Sequence, residues 1–240
     1  MSKNTKFIKS IYDDISLDEV YKQQRENETS ILQAIAMLIL SFLVLDNVMK
    51  LKEEEKKTNK AELFLLINSI FILDKNISKK TLETLLIDTT KKVYKYYGGK
   101  ELTKKQLRDI VKVSFKGKTF SKRIWDNSNK VSKLLKKDID KFLKGKISVN
   151  DIKNHISKHF KVNKYNINRL VNTEISRVIN DATILYCREN NLRVRYVAEL
   201  DNKTCHDCKD YDGMTCKVSE IPFELPQHAN CRCYWEPIIE

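Results

Sequence analysis

Proline is scarce in this chain of 240 residues and confined to one end: Pro222, Pro226 and Pro237 all fall in the last nineteen residues. Nothing earlier removes a backbone donor from a helix, so roughly the first 190 residues are free to be helical. An apolar run behind the N-terminal Met-Ser-Lys-Asn-Thr-Lys-Phe-Ile-Lys-Ser is also missing. The expectation is a chain with no secretory leader and no reason to meet an oxidising compartment. No segment reaches the length of a membrane span. The charge-free stretch Thr29 to Leu45 offers about seventeen residues where about twenty are needed. It reads as a helix buried among others or at a subunit contact, with membrane contact as the lesser alternative. Glycine-rich phosphate loops, H-E-x-x-H helices and nucleophile elbows are absent as well, which leaves catalysis without residues and points to a protein that is not an enzyme and has no small-molecule substrate.

Acidic residues are thin in the middle of the chain. The formal net charge is +13, and between Asp74 and Leu170 Lys and Arg outnumber acids by about three to one. Such an excess suggests a polyanion, nucleic acid first and an anionic membrane surface second. Candidate phosphate contacts are Lys104, Lys105, Lys116, Lys118, Lys122, Arg123, Lys136 and Lys137. Tyr94, Tyr96, Tyr97, Phe115, Phe120 and Trp125 could stack on bases, although aromatics at helical spacing are more often core. A general bias toward lysine would produce the same charge without any partner.

The spacing predicts a helix from Ser16 to Lys50, opened by a Ser16/Glu19 capping box, and a second over Glu62 to Leu73 after a charged connector at 53–60. A third is expected over Ser78 to Tyr97, closed by Gly98-Gly99. Shorter ones follow at Thr103 to Ser114, Ser121 to Leu143, which ends at Gly145, and Ser148 to Phe160. The last, Val171 to Glu189, is capped at Asn172-Thr173, with Glu174 as a first-turn carboxylate. From Arg193 the period changes to strict alternation through Leu200, and strands are also expected at Met214 to Val218 and Cys231 to Ile238. The fold class is therefore α+β, mostly α: helical N-terminal and middle regions and a small C-terminal antiparallel sheet. The expected division is a helical region at 1–99 and a domain at 100–240 that holds a β module at 193–240.

Five of the six cysteines crowd into the final 36 residues. Cys205 and Cys208 form a C-x2-C pair, and His228, Cys231 and Cys233 follow as H-x2-C-x-C. Two thiols two residues apart can aim at one point, and a returning pair completes the tetrahedron that Zn²⁺ takes in closed structural sites. Disulfides or inert thiols are the alternatives. Spacing favours Cys205, Cys208, His228 and Cys231 as ligands, with Cys233 and Cys216 as substitutes. In an extended 231–233 segment Cys231 and Cys233 would face opposite ways, so only one could ligate. His206 is expected to point outward and Cys187 to be core. The order H-x-E then P-C-x-x-C of the zinc deaminases is not met.

The pattern Leu200-Asp201-x2-Thr204-Cys205-x2-Cys208-x4-Gly213, then Pro226-x-His228-x2-Cys231-Arg232-Cys233, resembles the phage head morphogenesis family of Mu F-like minor head proteins. Thr173-Glu174, Asn180 and the helix around Trp125 are similar to further family features. The resemblance covers roughly residues 100 to 240 and departs at Ala229, where members commonly carry proline, and at the extra Cys216. It implies a minor capsid protein of a tailed phage or prophage, located in the virion inside the head near the portal and in the host cytoplasm during assembly. The implied partners are the portal protein, other head components and DNA bound without regard to sequence. Some relatives carry a toxin domain behind this module, for which a chain ending at Glu240 leaves no room. The competing readings are a free zinc-containing nucleic-acid-binding protein and a metal-dependent nuclease.

Overall fold

The computed structural model describes residues 2–199 and 204–239. Seven helices, two of them very long, and five short strands make up the described residues: α1 (Lys3–Asp13), α2 (Asp18–Ser41), β1 (Val44–Leu45), β2 (Val48–Met49), α3 (Glu53–Tyr96), α4 (Lys104–Val111), α5 (Phe120–Leu143), α6 (Val149–Glu189), β3 (Arg193–Val197), α7 (His206–Asp210), β4 (Thr215–Lys217) and β5 (Tyr234–Ile238). The expected mostly helical α+β class with a C-terminal antiparallel sheet is what the chain adopts.

Two compact units divide these elements. A terminal unit is drawn from Met1–Ser16, Leu82–Phe120 and Asn168–Glu240, and a middle unit from Leu17–Thr81 and Ser121–Ile167. Compactness thus groups the residues differently from the sequence division at 99/100. Both α3 and α6 contribute to each unit.

The middle unit buries Ile31, Ile35 and Leu38 of α2 with Ile67 and Phe71 of α3, Leu135, Ile139 and Phe142 of α5, and Ile152 and Ile156 of α6. Its four helical segments share one apolar core. Buried Asp138 joins two of them, lying 2.9 Å from His159 Nε2 and 3.3 Å from His155 Nδ1. Several expected boundaries move here. The helix expected over 16–50 starts at Asp18 without a side-chain cap and stops at Ser41. A hairpin follows, in which Asp46 and Asn47 take positive φ values of 49° and 63°. Asp and Asn tolerate that conformation better than most residues, and the paired left-handed turn matches strand twist.

The break expected between Leu73 and Ser78 does not exist, because α3 runs for 44 residues. No Pro or Gly interrupts it, and its polar residues Asp74, Lys75 and Ser78 are buried inside the helix instead of opening a loop. Likewise α6 is one helix of 41 residues. Ser148 caps it, accepting from Asp151 N–H at 3.1 Å, but there is no stop at Phe160 and no new cap at Asn172-Thr173. Ile167 and Leu170 carry the apolar stripe across the expected gap.

Burial pushes the Asp74 carboxyl up to about 6 from an ordinary 3.8, against the lowering effects of Asn163 and Lys75. The folded state therefore holds this proton more tightly than the unfolded chain does between those values. Stability at this site falls as pH rises through that window, and the penalty is complete above about 6. Asp74→Asn is expected to stabilise the protein by about 1–3 kcal/mol at pH 7.5 and by almost nothing at pH 4, measured by urea unfolding at both.

In the terminal unit β3 is central, in the order β4-β3-β5, antiparallel on both sides. Val194 and Tyr196 point into the core while Arg193 and Arg195 face out, as the alternation predicted. The strand ends at Val197, and the remainder of its expected course through Leu200 reaches the edge of the described residues. Pro237 sits on β5, an edge strand, where the missing N–H costs no ladder bond. Helix α1 is tied to this strand: Asn4 Nδ2 donates to Glu236 Oε2 at 2.8 Å, and Thr5 Oγ1 lies 3.1 Å from Tyr234 Oη.

Candidate metal centre

Cys205 is the N-cap of the five-residue α7, and Cys208 is buried on its inner side. One turn of helix brings both thiols to the same region. The returning segment 228–233 supplies the rest, and α6 holds it in place. Thr173 Oγ1 accepts from Asn230 N–H at 3.1 Å. Asn180 Nδ2 donates to Cys233 O at 3.3 Å, and its Oδ1 accepts from Trp235 N–H at 2.8 Å. Thr173 and Asn180 therefore brace the ligand loop from the middle of a helix.

Cys205, Cys208 and His228 form one group with ligand atoms all within 4.8 Å of one another, and Cys208, Cys231 and Cys233 form a second. Cys208 belongs to both. Its Sγ lies 3.8 Å from His228 Nε2 and 3.9 Å from Cys231 Sγ. The edge of a tetrahedron built on metal–sulfur bonds near 2.3 Å is about 3.8 Å, so this donor set fits a thiolate-binding metal ion. None of the six cysteines is in a disulfide.

The expectation that Cys231 and Cys233 diverge is not met. Strand β5 begins at Tyr234, so 231–233 is not extended strand and both thiols turn inward, buried. Five side chains thus compete for about four places. Cys216 lies on β4, half-buried, and belongs to neither group. His206 points outward and pairs with Asp210 at 3.0 Å, its side chain 87% exposed. Cys187 is core. Leu200 and Asp201 of the sequence pattern lie outside the described residues.

Electrostatics favour a cation at this point. Burial pushes the Cys208 thiol up to about 12. Cys231 and Cys233 titrate as a pair: their mutual hydrogen bond pulls Cys233 down to about 5 and drives Cys231 up. So many sulfurs this close together cannot all ionise unaided, and a dication removes that obstacle. Burial holds the Tyr196 phenol well above its ordinary range. The ligand atoms line a cavity of about 510 Å³ that also presents Asn172, Glu199 and Arg232.

Sequence reasoning missed Arg177. It is buried in α6 and donates Nε–H to Glu174 Oε2 at 2.8 Å, and Nη1–H to Asp181 Oδ2 and to Ile110 O, both at 2.7 Å. Nη2–H reaches Val111 O at 3.3 Å. The guanidinium therefore closes the last turn of α4, where carbonyls lack helical donors. Glu174 is correspondingly a buried partner of Arg177 in mid-helix and not the first-turn carboxylate expected.

Of the eight candidate phosphate contacts, Lys104, Lys105, Lys116 and Lys118 belong to the terminal unit and Lys122, Arg123, Lys136 and Lys137 to the middle unit. Lys104 and Lys105 are exposed on α4, whereas Lys116 donates to Gln227 O. Lys122 pairs with Asp126 at 3.1 Å, and Lys136 donates to Asn68 Oδ1 at 2.6 Å. Lys137 is exposed on α5, in line with exposed Lys130 and Lys133 at helical spacing. Trp125 lies on the same helix, 44% exposed, with Lys75 Nζ 4.3 Å above its ring.

No helix among the described residues is long and apolar enough to cross a membrane. Neither a curated protein nor a solved structure matches the chain. Residues 133–236, from within α5 through α6 and the entire Cys/His cluster, match the model of phage Mu protein F like proteins.

Proposed function

We propose that the protein is a non-enzymatic minor head protein of a tailed phage or prophage, acting in head morphogenesis and carried in the virion. The observation that supports this reading is the Mu F-like match at 133–236, because it encloses the Cys/His cluster and the α6 residues that brace it. In this proposal the cluster holds a structural Zn²⁺, chosen because thiolate with imidazole suits zinc better than hard oxygen-seeking ions. The metal would be held by Cys208 with Cys205, His228, Cys231 or Cys233, fixing a sheet whose strands run three to five residues. The portal is the proposed docking partner within the head. The test is mass spectrometry of purified heads: the protein is expected to co-purify with portal and capsid proteins. Heads that assemble and package normally without it would refute the role.

The second part of the proposal is binding of packaged DNA through its phosphates, for which the row Lys130, Lys133 and Lys137 is the best support. On this reading the isolated protein binds duplexes of any sequence, and its affinity falls steeply with salt. Replacing these three lysines by glutamate is expected to lower the slope of log K against log salt by about 0.9 for each phosphate no longer neutralised. Sequence-preferring binding would favour the free nucleic-acid-binding reading instead. Cleavage of plasmid in Mg²⁺ or Zn²⁺ would favour a nuclease.

A further inference from the structure

In the middle unit the segment after α2 doubles back through the β1–β2 hairpin. Lys50 N–H donates to Leu43 O at 2.9 Å, closing its base. The hairpin is also pinned from beyond its tip, since Val149 N–H donates to Asn47 O at 2.9 Å. Gly145 approaches so closely that a Cβ there would stand 3.0 Å from Met49 O. These constraints frame an open groove of about 650 Å³. Its floor is apolar, with Phe42, Leu43, Met49 and Leu51, and its rim is basic, with Lys50, Lys52, Lys56 and Lys144.

Two rim lysines are already committed, Lys56 to Glu53 at 2.7 Å and Lys144 to Asp140 at 2.6 Å. Lys50 and Lys52 make no ion pair among the described residues, and both are exposed. The rim's own carboxylate, Glu55, is engaged locally, accepting from Lys52 N–H at 2.7 Å. The chain that leads into the groove and its hairpin carries exposed apolar side chains: Met37, Leu40, Leu43 and Leu45 are 63%, 81%, 60% and 49% exposed. Such a patch on a protein surface marks an interaction site.

We infer that this groove docks an acidic amphipathic segment of a partner protein. Its apolar side chains would enter against Phe42, Leu43 and Leu51, and its carboxylates would meet Lys50 and Lys52. Charge selects this occupant: with the rim acid engaged, the unpaired charges around the floor are positive. Shape separates it from the other polyanions. A phosphate backbone has nothing to place on an apolar floor, and a lipid surface presses on a convex patch, whereas an amphipathic helix lays its apolar face into a groove.

The test uses the full chain and a fluorescein-labelled 18-residue peptide of Leu and Glu at helical spacing, with a scrambled peptide of equal composition and vesicles of phosphatidylglycerol as comparators. Saturable binding of the amphipathic peptide is expected, at least about tenfold tighter than the scrambled one. Leu43→Asp, and separately Lys50→Glu with Lys52→Glu, should each weaken it about tenfold or more while circular dichroism stays unchanged. Equal binding of the scrambled peptide, no binding, or indifference to both sets of substitutions overturns the inference. Vesicle binding that displaces the peptide and depends on Leu43 overturns it in favour of a lipid surface.

Discussion

Replacing Cys208 by serine is expected to abolish metal binding and to unfold the C-terminal sheet while the core of the middle unit persists. Cys208 is the one residue common to both ligand groups, so its loss leaves two ligands in each. Binding of a structural zinc contributes about 10–16 kcal/mol in small zinc modules, and that energy is folding energy. A loss of even several kcal/mol consumes much of the roughly 5–15 kcal/mol that holds a domain together. Elemental mass spectrometry should fall from about one metal per chain to none. Circular dichroism should retain its helical signal. Cys216→Ser is the control: that thiol is in neither ligand group, so metal content should not change.

Arg177→Met is expected to destabilise the protein by about 3–5 kcal/mol, read by urea denaturation. The substitution keeps much of the side chain's volume but withdraws the counter-charge from buried Glu174 and the donors from Ile110 O and Val111 O. Breaking a buried pair costs far more than the pair contributes, because the charge left behind stays desolvated after its counter-charge is gone. The double variant Arg177→Met with Glu174→Met should therefore recover a large part of the loss. Arg177→Lys should not, since an ammonium cannot span a carboxylate and two carbonyls with one rigid fork.

Much of this architecture can be read in the order of residues. The apolar stripe of α5, the glycine after it and the alternation of β3 each follow from a period that water imposes on a half-buried element. At Gly145 the φ of 66° is the left-handed stop that glycine favours. Helix continuity was not legible. Asp74, Lys75 and Ser78 look like a polar loop in sequence, yet each is buried inside α3, and burial of a polar residue depends on neighbours distant in the chain.

The same limit applied at the metal centre. Spacing favoured Cys205, Cys208, His228 and Cys231 and left Cys233 and Cys216 as substitutes, because the turn of 231–233 that brings Cys233 inward is held by bonds to Thr173 and Asn180. Arg177 gave no signal at all. A single arginine in a helix reads as solvated, and its carbonyl partners lie 66 and 67 residues away.

The discontinuity of the two units orders events during synthesis. Every residue of the middle unit has been made once Ile167 is joined, whereas the terminal unit waits for β5, whose Glu236 meets Asn4 across 232 residues of chain. Pairings of such separation carry the largest loop-closure cost and form late. During synthesis the middle unit's core is therefore expected to form first and the contact of β5 with α1 last.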